Sequence, residues 1–300
     1  MKIILRFIFP AVFSVLFVVN TACSSNPAHE KPEKTSNIGL LWEVNQTGAV
    51  SCYVFGTIHS EDERVTELPS LVNKAFNDAE TLALEMKLDK EVAQEVLRNL
   101  YFTDGRFLKP IIGDELFYRS VKAMQKKGLP EKIVNKMKPW AVFTILNMPD
   151  QKTGLFLDAI LFKNAQQQGK LIHGLETPQE QTAVFDDMPI SSQISLLKST
   201  LDNMIDMNSL QDEVIDVYLS RDLDKILALN EKYEALIDEE LAKEFTQRLV
   251  IDRNHRMVNR MLPMLKKGNC FVAVGALHLP GEEGILTLLK QRGFQVRAVY

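Results

Sequence analysis

Two histidines in this chain are introduced by the same phrase. Val50-Ser-Cys-Tyr-Val-Phe-Gly56-Thr-Ile-His59 and Cys270-Phe-Val-Ala-Val-Gly275-Ala-Leu-His278 are both β-rich runs that end in Gly-x-x-His. An apolar run of this kind reads as a buried strand, and the glycine marks where the backbone must turn or be closely approached. Each imidazole therefore stands at a strand end. Two carboxylates have the same placement: Glu85 closes Thr81-Leu-Ala-Leu-Glu85-Met, and Glu176 closes Lys170-Leu-Ile-His-Gly-Leu-Glu176. Functional groups in open α/β sheets gather beyond the carboxyl ends of the strands, so His59, Glu85, Glu176 and His278 are expected to converge. Two imidazoles with one or two carboxylates suit a divalent metal with a coordination place left for water, which is hydrolytic chemistry. An unpaired carboxylate is costly to bury, so Glu85 either meets a cation or reaches solvent. Arg253 is a cation that could steady a carboxylate or a developing negative charge.

Each residue also has a plainer reading. A histidine after a strand serves well as a turn residue bonded to backbone. His173, inside its strand, reads as a satisfied core or interface histidine, and His255, among Arg253, Asn254 and Arg256, as part of a solvated basic face. Glu282 and Glu283 read as acids at a helix start. The sequence contains no His-Glu-x-x-His, no Cys-x-x-Cys, no phosphate loop and no Gly-x-Ser-x-Gly.

The elements that must position these groups follow from pattern. Leu40–Val44 and Ser51–Phe55 are predicted strands joined by Asn45-Gln-Thr-Gly48 as a hairpin. A helix through Leu71, Val72, Ala75, Phe76 and Ala79 leads to the strand ending in Glu85, a crossover order that implies parallel pairing. Residues from Asp89 to about Asn164 and from 190 to 266 read as helical insertions, the last helix running from about Glu239 through Arg253 to Met261. Thr177-Pro178-Gln179-Glu180 supplies an N-cap, a first-turn proline and the acid of a capping box, so a helix begins directly after Glu176. Gly284–Gln291 is a predicted helix and Phe294–Val299 a final strand. The fold class is α/β: a mixed, largely parallel sheet covered by helices, in a single domain over 38–300.

Composition sets the compartment. With 46% hydrophobic and 25% charged residues the chain has ordinary globular composition. Lys2 and Arg6 precede an apolar run from Phe7 to Val19, shorter than a membrane span needs, which makes residues 1–22 a signal peptide in form. Asn20-Thr-Ala-Cys23 resembles a lipobox, with Asn20 where an aliphatic residue is usual. Lipidation of Cys23 is the preferred expectation, with leader cleavage after Ala22 or Ser24 as the alternative. The absence of Asp after the cysteine points to an outer-membrane lipoprotein facing the periplasm. Residues 23–37 form the lipidated terminus and a polar, flexible tether that includes His29. Losing Lys2 and Arg6 takes the net charge from −4 to about −6, which gives no footing to nucleic acid. An oxidising compartment permits a Cys52–Cys270 disulfide, but two buried free thiols are the preferred reading. Oligomeric state is left open.

Gly56-Thr-Ile-His59, Glu85, Lys138-Pro139-Trp140, Gly174-Leu-Glu176-Thr177 with Gln181, Asp252-Arg253-Asn254, and Val274-Gly-Ala-Leu-His278-Leu-Pro-Gly281 with Gly284 together resemble the TraB/GumN family over residues 40–300. The family includes the animal TIKI metal-dependent proteases, and is more remotely similar to erythromycin esterases and to the haem-binding lipoprotein ChaN. The resemblance implies a compact α/β domain with His59, His278 and Glu85 as the active-site set, and Glu176 and Arg253 as further motif residues. It implies a metal held by His59 and His278, with Glu85 as ligand or as base to the bound water, and Arg253 at the oxyanion. Mn²⁺, Co²⁺ and Zn²⁺ all accept such ligands. The leading expectation is a metal-dependent hydrolase, a TIKI-like peptidase of the cell envelope. A non-catalytic lipoprotein binding a peptide, haem or a small metabolite, and a metal-independent esterase-like hydrolase with a histidine base, are the alternatives.

Overall fold

The computed structural model describes residues 37–46, 50–150, 152–203 and 207–300. The leader, Cys23, the tether with His29, and Thr47 and Gly48 of the hairpin turn lie outside the described residues.

Six strands form one mixed sheet: β1 (Leu41–Asn45), β2 (Cys52–Thr57), β3 (Thr81–Leu84), β4 (Leu171–Gly174), β5 (Cys270–Gly275) and β6 (Gln295–Ala298), in the order β4-β3-β5-β2-β1-β6. β4, β3, β5 and β2 are parallel, whereas β1 pairs antiparallel with both β2 and β6. The β1–β2 hairpin and the parallel crossover thus agree with the sequence reading. β2 and β3, however, are not neighbours, because β5 lies between them and pairs with both. The last strand of the parallel set, contributed from the far end of the chain, is at the centre of the sheet. Its Cys-Phe-Val-Ala-Val residues are buried, as a strand covered on both faces requires.

Cys52 and Cys270 are joined by a disulfide, with Cα atoms 4.7 Å apart. This corrects the free-thiol reading. The two residues immediately precede the paired positions Tyr53 and Phe271 of neighbouring parallel strands, so they stand side by side, although 218 positions separate them in the chain. The core reading of His173 is also corrected: the residue is exposed on the edge strand β4, which has only β3 beside it.

Apolar side chains gather in two main clusters. One packs both faces of the sheet and includes Phe76, Leu82, Phe271, Val272, Ile215 and Tyr218. The other is helical and centres on Trp140, Phe143, Phe185 and Phe245. Lys138-Pro139-Trp140 serves this second cluster. Pro139 occupies the first turn of the helix Pro139–Leu146, Trp140 stacks on Phe185 at 5.5 Å, and Lys138 Nζ and Trp140 Nε1 both donate to Asp186. The two clusters meet above the carboxyl ends of β2 and β5.

Candidate active site

Each parallel strand delivers one polar side chain just past its carboxyl end: His59 after β2, Glu85 after β3, Glu176 after β4 and His278 after β5. Local sequence explains the turns. At Gly56 a Cβ would lie 2.8 Å from Leu279 Cδ1 and 3.1 Å from Ala276 Cα, so glycine lets the segment after β5 pack directly on β2. At Gly275 a Cβ would lie 3.2 Å from Glu85 Oε1, and its absence lets the carboxylate accept the Gly275 N–H at 2.6 Å. After β4, Thr177 and Glu180 complete the predicted capping box and start the helix Pro178–Asp186.

Arg253 joins three of these four groups. The predicted long helix from Glu239 is in fact two α-helices, Glu239–Thr246 and Asp252–Lys267, with π-helical turns over Gln247–Ile251 between them. Such wide turns occur often at functional sites. Arg253 lies just after this one, and its side chain is 0% exposed. Its Nε donates to Glu176 Oε2 at 2.9 Å, and its Nη2 donates to Glu176 Oε2 at 2.7 Å and to Glu85 Oε2 at 2.5 Å. Nη1 donates to Leu249 O at 3.2 Å and faces His278 Nε2 at 3.3 Å. These contacts use all five donors of a guanidinium. Arg256 adds a second cation, with Nη1 2.7 Å from Glu176 Oε1. Burial opposes the charge on Arg253, but Glu176 and Glu85 outweigh it and hold the group protonated. Burial also pushes the Glu85 carboxyl up to about 7, against the pull of Arg253.

His278 has a defined tautomer. Asn254 Nδ2 donates to Glu283 O at 2.8 Å, which turns Asn254 Oδ1 toward His278 Nδ1 at 2.6 Å. A carbonyl oxygen only accepts, so Nδ1 carries the proton and Nε2 is the acceptor facing Arg253. Burial, reinforced by the Arg253 charge, holds the His278 pKa well below the ordinary imidazole value. The ring is neutral, and its lone pair is turned to a cation.

His59 has different partners. Its Nδ1 lies 3.8 Å from Asp158 Oδ2, while Asp158 Oδ1 accepts from Thr57 Oγ1 at 2.9 Å. Phe156 packs on the ring at 4.8 Å. Burial lowers the His59 pKa, Asp158 pulls it back up, and Arg253 lowers it. Asp158 is the candidate site residue that sequence reasoning passed over. It is a buried acid on the helix Leu157–Gln167, among Leu157, Leu161 and Phe162. An acid amid apolar helix positions is the same signal that singled out Glu85.

Between His59 and His278 is a cavity of about 120 Å³. His59, His278, Arg253, Ser60 and Gln211 line it on the polar side, and Leu249 and Val250 of the helical cluster face Ile215, Tyr218 and Ile226 of the sheet cluster across it. Tyr218 closes one wall by donating to Gly56 O at 2.9 Å. Interfaces between packed units are common places for binding sites. His255 Nε2 lies 2.7 Å from Glu283 Oε2 on the surface, and the helix there begins at Ile285, so Glu283 is a hydrogen-bond partner of the imidazole rather than a first-turn acid.

A sequence model of the TraB/PrgY/gumN family matches residues 40–298. The chain belongs to the TraB/PrgY/gumN family. Within that family's reach, the chain is 24% identical to a protein named metalloprotease TIKI homolog from Nematostella vectensis, over 89% of this chain and 68% of the relative. It is 24% identical to metalloprotease TIKI2 of Xenopus tropicalis, over 86% of this chain and 59% of that one. It is also 24% identical to the uncharacterized protein YbaP of Escherichia coli, over 79% and 87% of the two chains. No solved structure matches.

The relatives' names raise the question of a metal, and the donors answer it locally. Among the described residues no three His, Cys, Asp or Glu side chains are grouped to hold an ion. Glu85 is engaged by Arg253 and the Gly275 amide, and a guanidinium occupies the place facing His278 Nε2. The set His59, Glu85 and His278 does not fit a metal centre in this arrangement.

Proposed function

We propose that this family member is a hydrolase of acyl bonds, peptide bonds first among them, in which His59 is the general base. The observation that carries the reading is a neutral imidazole backed by a buried carboxylate at the edge of an otherwise apolar cavity. Asp158 opposite Nδ1 assigns the proton-accepting role to Nε2. The 3.8 Å separation is longer than a hydrogen bond, as catalytic pairs often are before substrate tightens them. Water attacks the carbonyl carbon while His59 takes its proton, and the same proton then goes to the leaving amine or alkoxide as the acyl bond breaks. The donors lining the cavity near the forming oxyanion are the Ser60 hydroxyl and the Gln211 amide. Arg253 contributes its field, since its N–H groups are committed. Glu176, Glu85 and Arg253 are positioning groups in this reading.

A metal-dependent peptidase is the second reading, favoured by the names of the animal relatives. It requires Glu85 to leave Arg253 and a third donor to join the histidines. The N-terminal sequence supports a cell-envelope setting with Cys23 as the lipid-bearing residue, and a peptide or small acyl compound as substrate.

The test is turnover of a peptide library by the chelator-stripped chain, with His59→Ala, Asp158→Asn and His278→Ala beside it. Turnover that survives chelation and falls about 10²–10⁴-fold in the first two variants supports the base mechanism. Activity that returns only with Mn²⁺, Co²⁺ or Zn²⁺ supports the metal reading. Saturable binding with no product in any condition supports a binding protein and removes both.

A further inference from the structure

The cavity beside His59 has a composition that selects its occupant. Pro149, Val214, Ile226, Leu229, Leu249 and Val250 give it apolar walls, and among the described lining residues Arg253 is the one charged side chain. That charge is matched by Glu176 and Glu85, and the guanidinium donors are committed to them, to Leu249 O and to His278. A carboxylate or ammonium entering the cavity would lose its hydration and gain no uncompensated opposite charge, only neutral polar groups at the His59 end. An aliphatic group would lose contact with water at no such cost. The volume of about 120 Å³ is somewhat less than the roughly 150 Å³ that accommodates benzene in an apolar cavity.

We infer that this cavity is a specificity pocket for an uncharged aliphatic group of about four to six carbons borne by the carbonyl under attack. The inference rests on the hydrolase reading above for its orientation, with the scissile carbonyl at the His59 end and the chain directed toward Leu229 and Val250. Leucine-like side chains in a peptide and short acyl chains in an ester present the same chemistry to these walls.

The experiment uses p-nitrophenyl acetate, butyrate, hexanoate, dodecanoate and hemisuccinate with the wild-type chain, Val214→Trp, Leu229→Ala and, as the catalytic control, His59→Ala. Alongside it, binding of butan-1-ol and hexan-1-ol, which cannot be hydrolysed, is followed by saturation-transfer NMR. The expected kcat/KM rises about fourfold per methylene from acetate to hexanoate and drops at dodecanoate. The charged hemisuccinate falls about 100-fold or more below butyrate. Val214→Trp moves the optimum to acetate, and Leu229→Ala moves it to longer chains, so one variant carries the test if the other does not fold. Alcohol binding with the same length order, shifted in the same way by the variants but without ester turnover, upholds the pocket and overturns the hydrolase. Turnover lost in His59→Ala yet indifferent to chain length overturns the pocket and leaves the hydrolase. Neither turnover nor alcohol binding overturns both.

Discussion

Replacing Arg253 with methionine should destabilise the protein by an amount that grows with pH. The side chain is fully buried between Glu176 and Glu85. Glu176 keeps Arg256 at 2.7 Å and Gln181 at 3.3 Å when Arg253 is removed, whereas Glu85 is left with the Gly275 N–H and the neutral His278 ring at 3.8 Å. Breaking a buried ion pair from one side costs about 3–5 kcal/mol, a large part of an ordinary stability of about 5–15 kcal/mol. The cost is not constant, because Glu85 can escape by taking a proton. In the native protein its carboxyl stands at about 7, and without the guanidinium it rises further. Above pH 7 the native variant then holds one proton more than the native wild type. The difference in stability grows by up to about 1.4 kcal/mol per pH unit, or about 2.7 kcal/mol between pH 7 and 9. Urea denaturation followed by circular dichroism at pH 6, 7, 8 and 9 measures it, with Arg253→Met/Glu85→Gln as the control that removes the titrating group. That double variant should show a flat difference and be more stable than the single one at high pH. An equal difference at pH 6 and pH 9, or a slope that persists in the double variant, would refute the assignment of Glu85 as the group stranded by the loss.

Three further outcomes follow from the same contacts. Because burial lowers the His59 pKa more than Asp158 raises it, the base takes up a proton only at a lower pH than an ordinary imidazole does; Asp158→Asn should move the acid limb of kcat/KM to still lower pH while reducing the rate, and a limb moved upward would count against the pairing. Gly56→Ala places a methyl 2.8 Å from Leu279 Cδ1 and 3.1 Å from Ala276 Cα, and should cost about 1–3 kcal/mol with loss of turnover as His278 shifts; a variant with unchanged urea midpoint contradicts the close approach. Replacing Cys52 and Cys270 by alanine should lower stability by about 2–5 kcal/mol, given the 218-residue separation that the bridge spans, and thiol titration in urea without reductant should find neither sulfur reactive.

Much of this arrangement is legible in the sequence, because it is local. Alternating or continuous apolar runs fix which segments are strands, and Gly56, Gly275 and the Thr177–Glu180 capping box fix where the chain turns with its polar residue outward. In a parallel sheet that alone aligns His59, Glu85, Glu176 and His278 along one edge. What the local pattern left undetermined is partnership. Nothing near Cys52 names Cys270, and nothing near Arg253 names Glu85, 168 positions away. The insertion of β5 between β2 and β3 decides both, since it lays Cys270 beside Cys52 and turns Gly275 toward Glu85. The π-helical turns before Arg253 and the amide orientation of Asn254 then set the guanidinium and the His278 tautomer, and these depend on packing rather than propensity. Residue types suggest two histidines with one or two carboxylates as a ligand set, and the family resemblance narrows it to His59, His278 and Glu85. The tertiary structure gave the glutamate to an arginine, turned one histidine to face that cation, and set Asp158 beside the other. Burial makes each of those choices: a charge removed from water must be matched by whatever the fold brings within reach, and only the folded chain determines what that is.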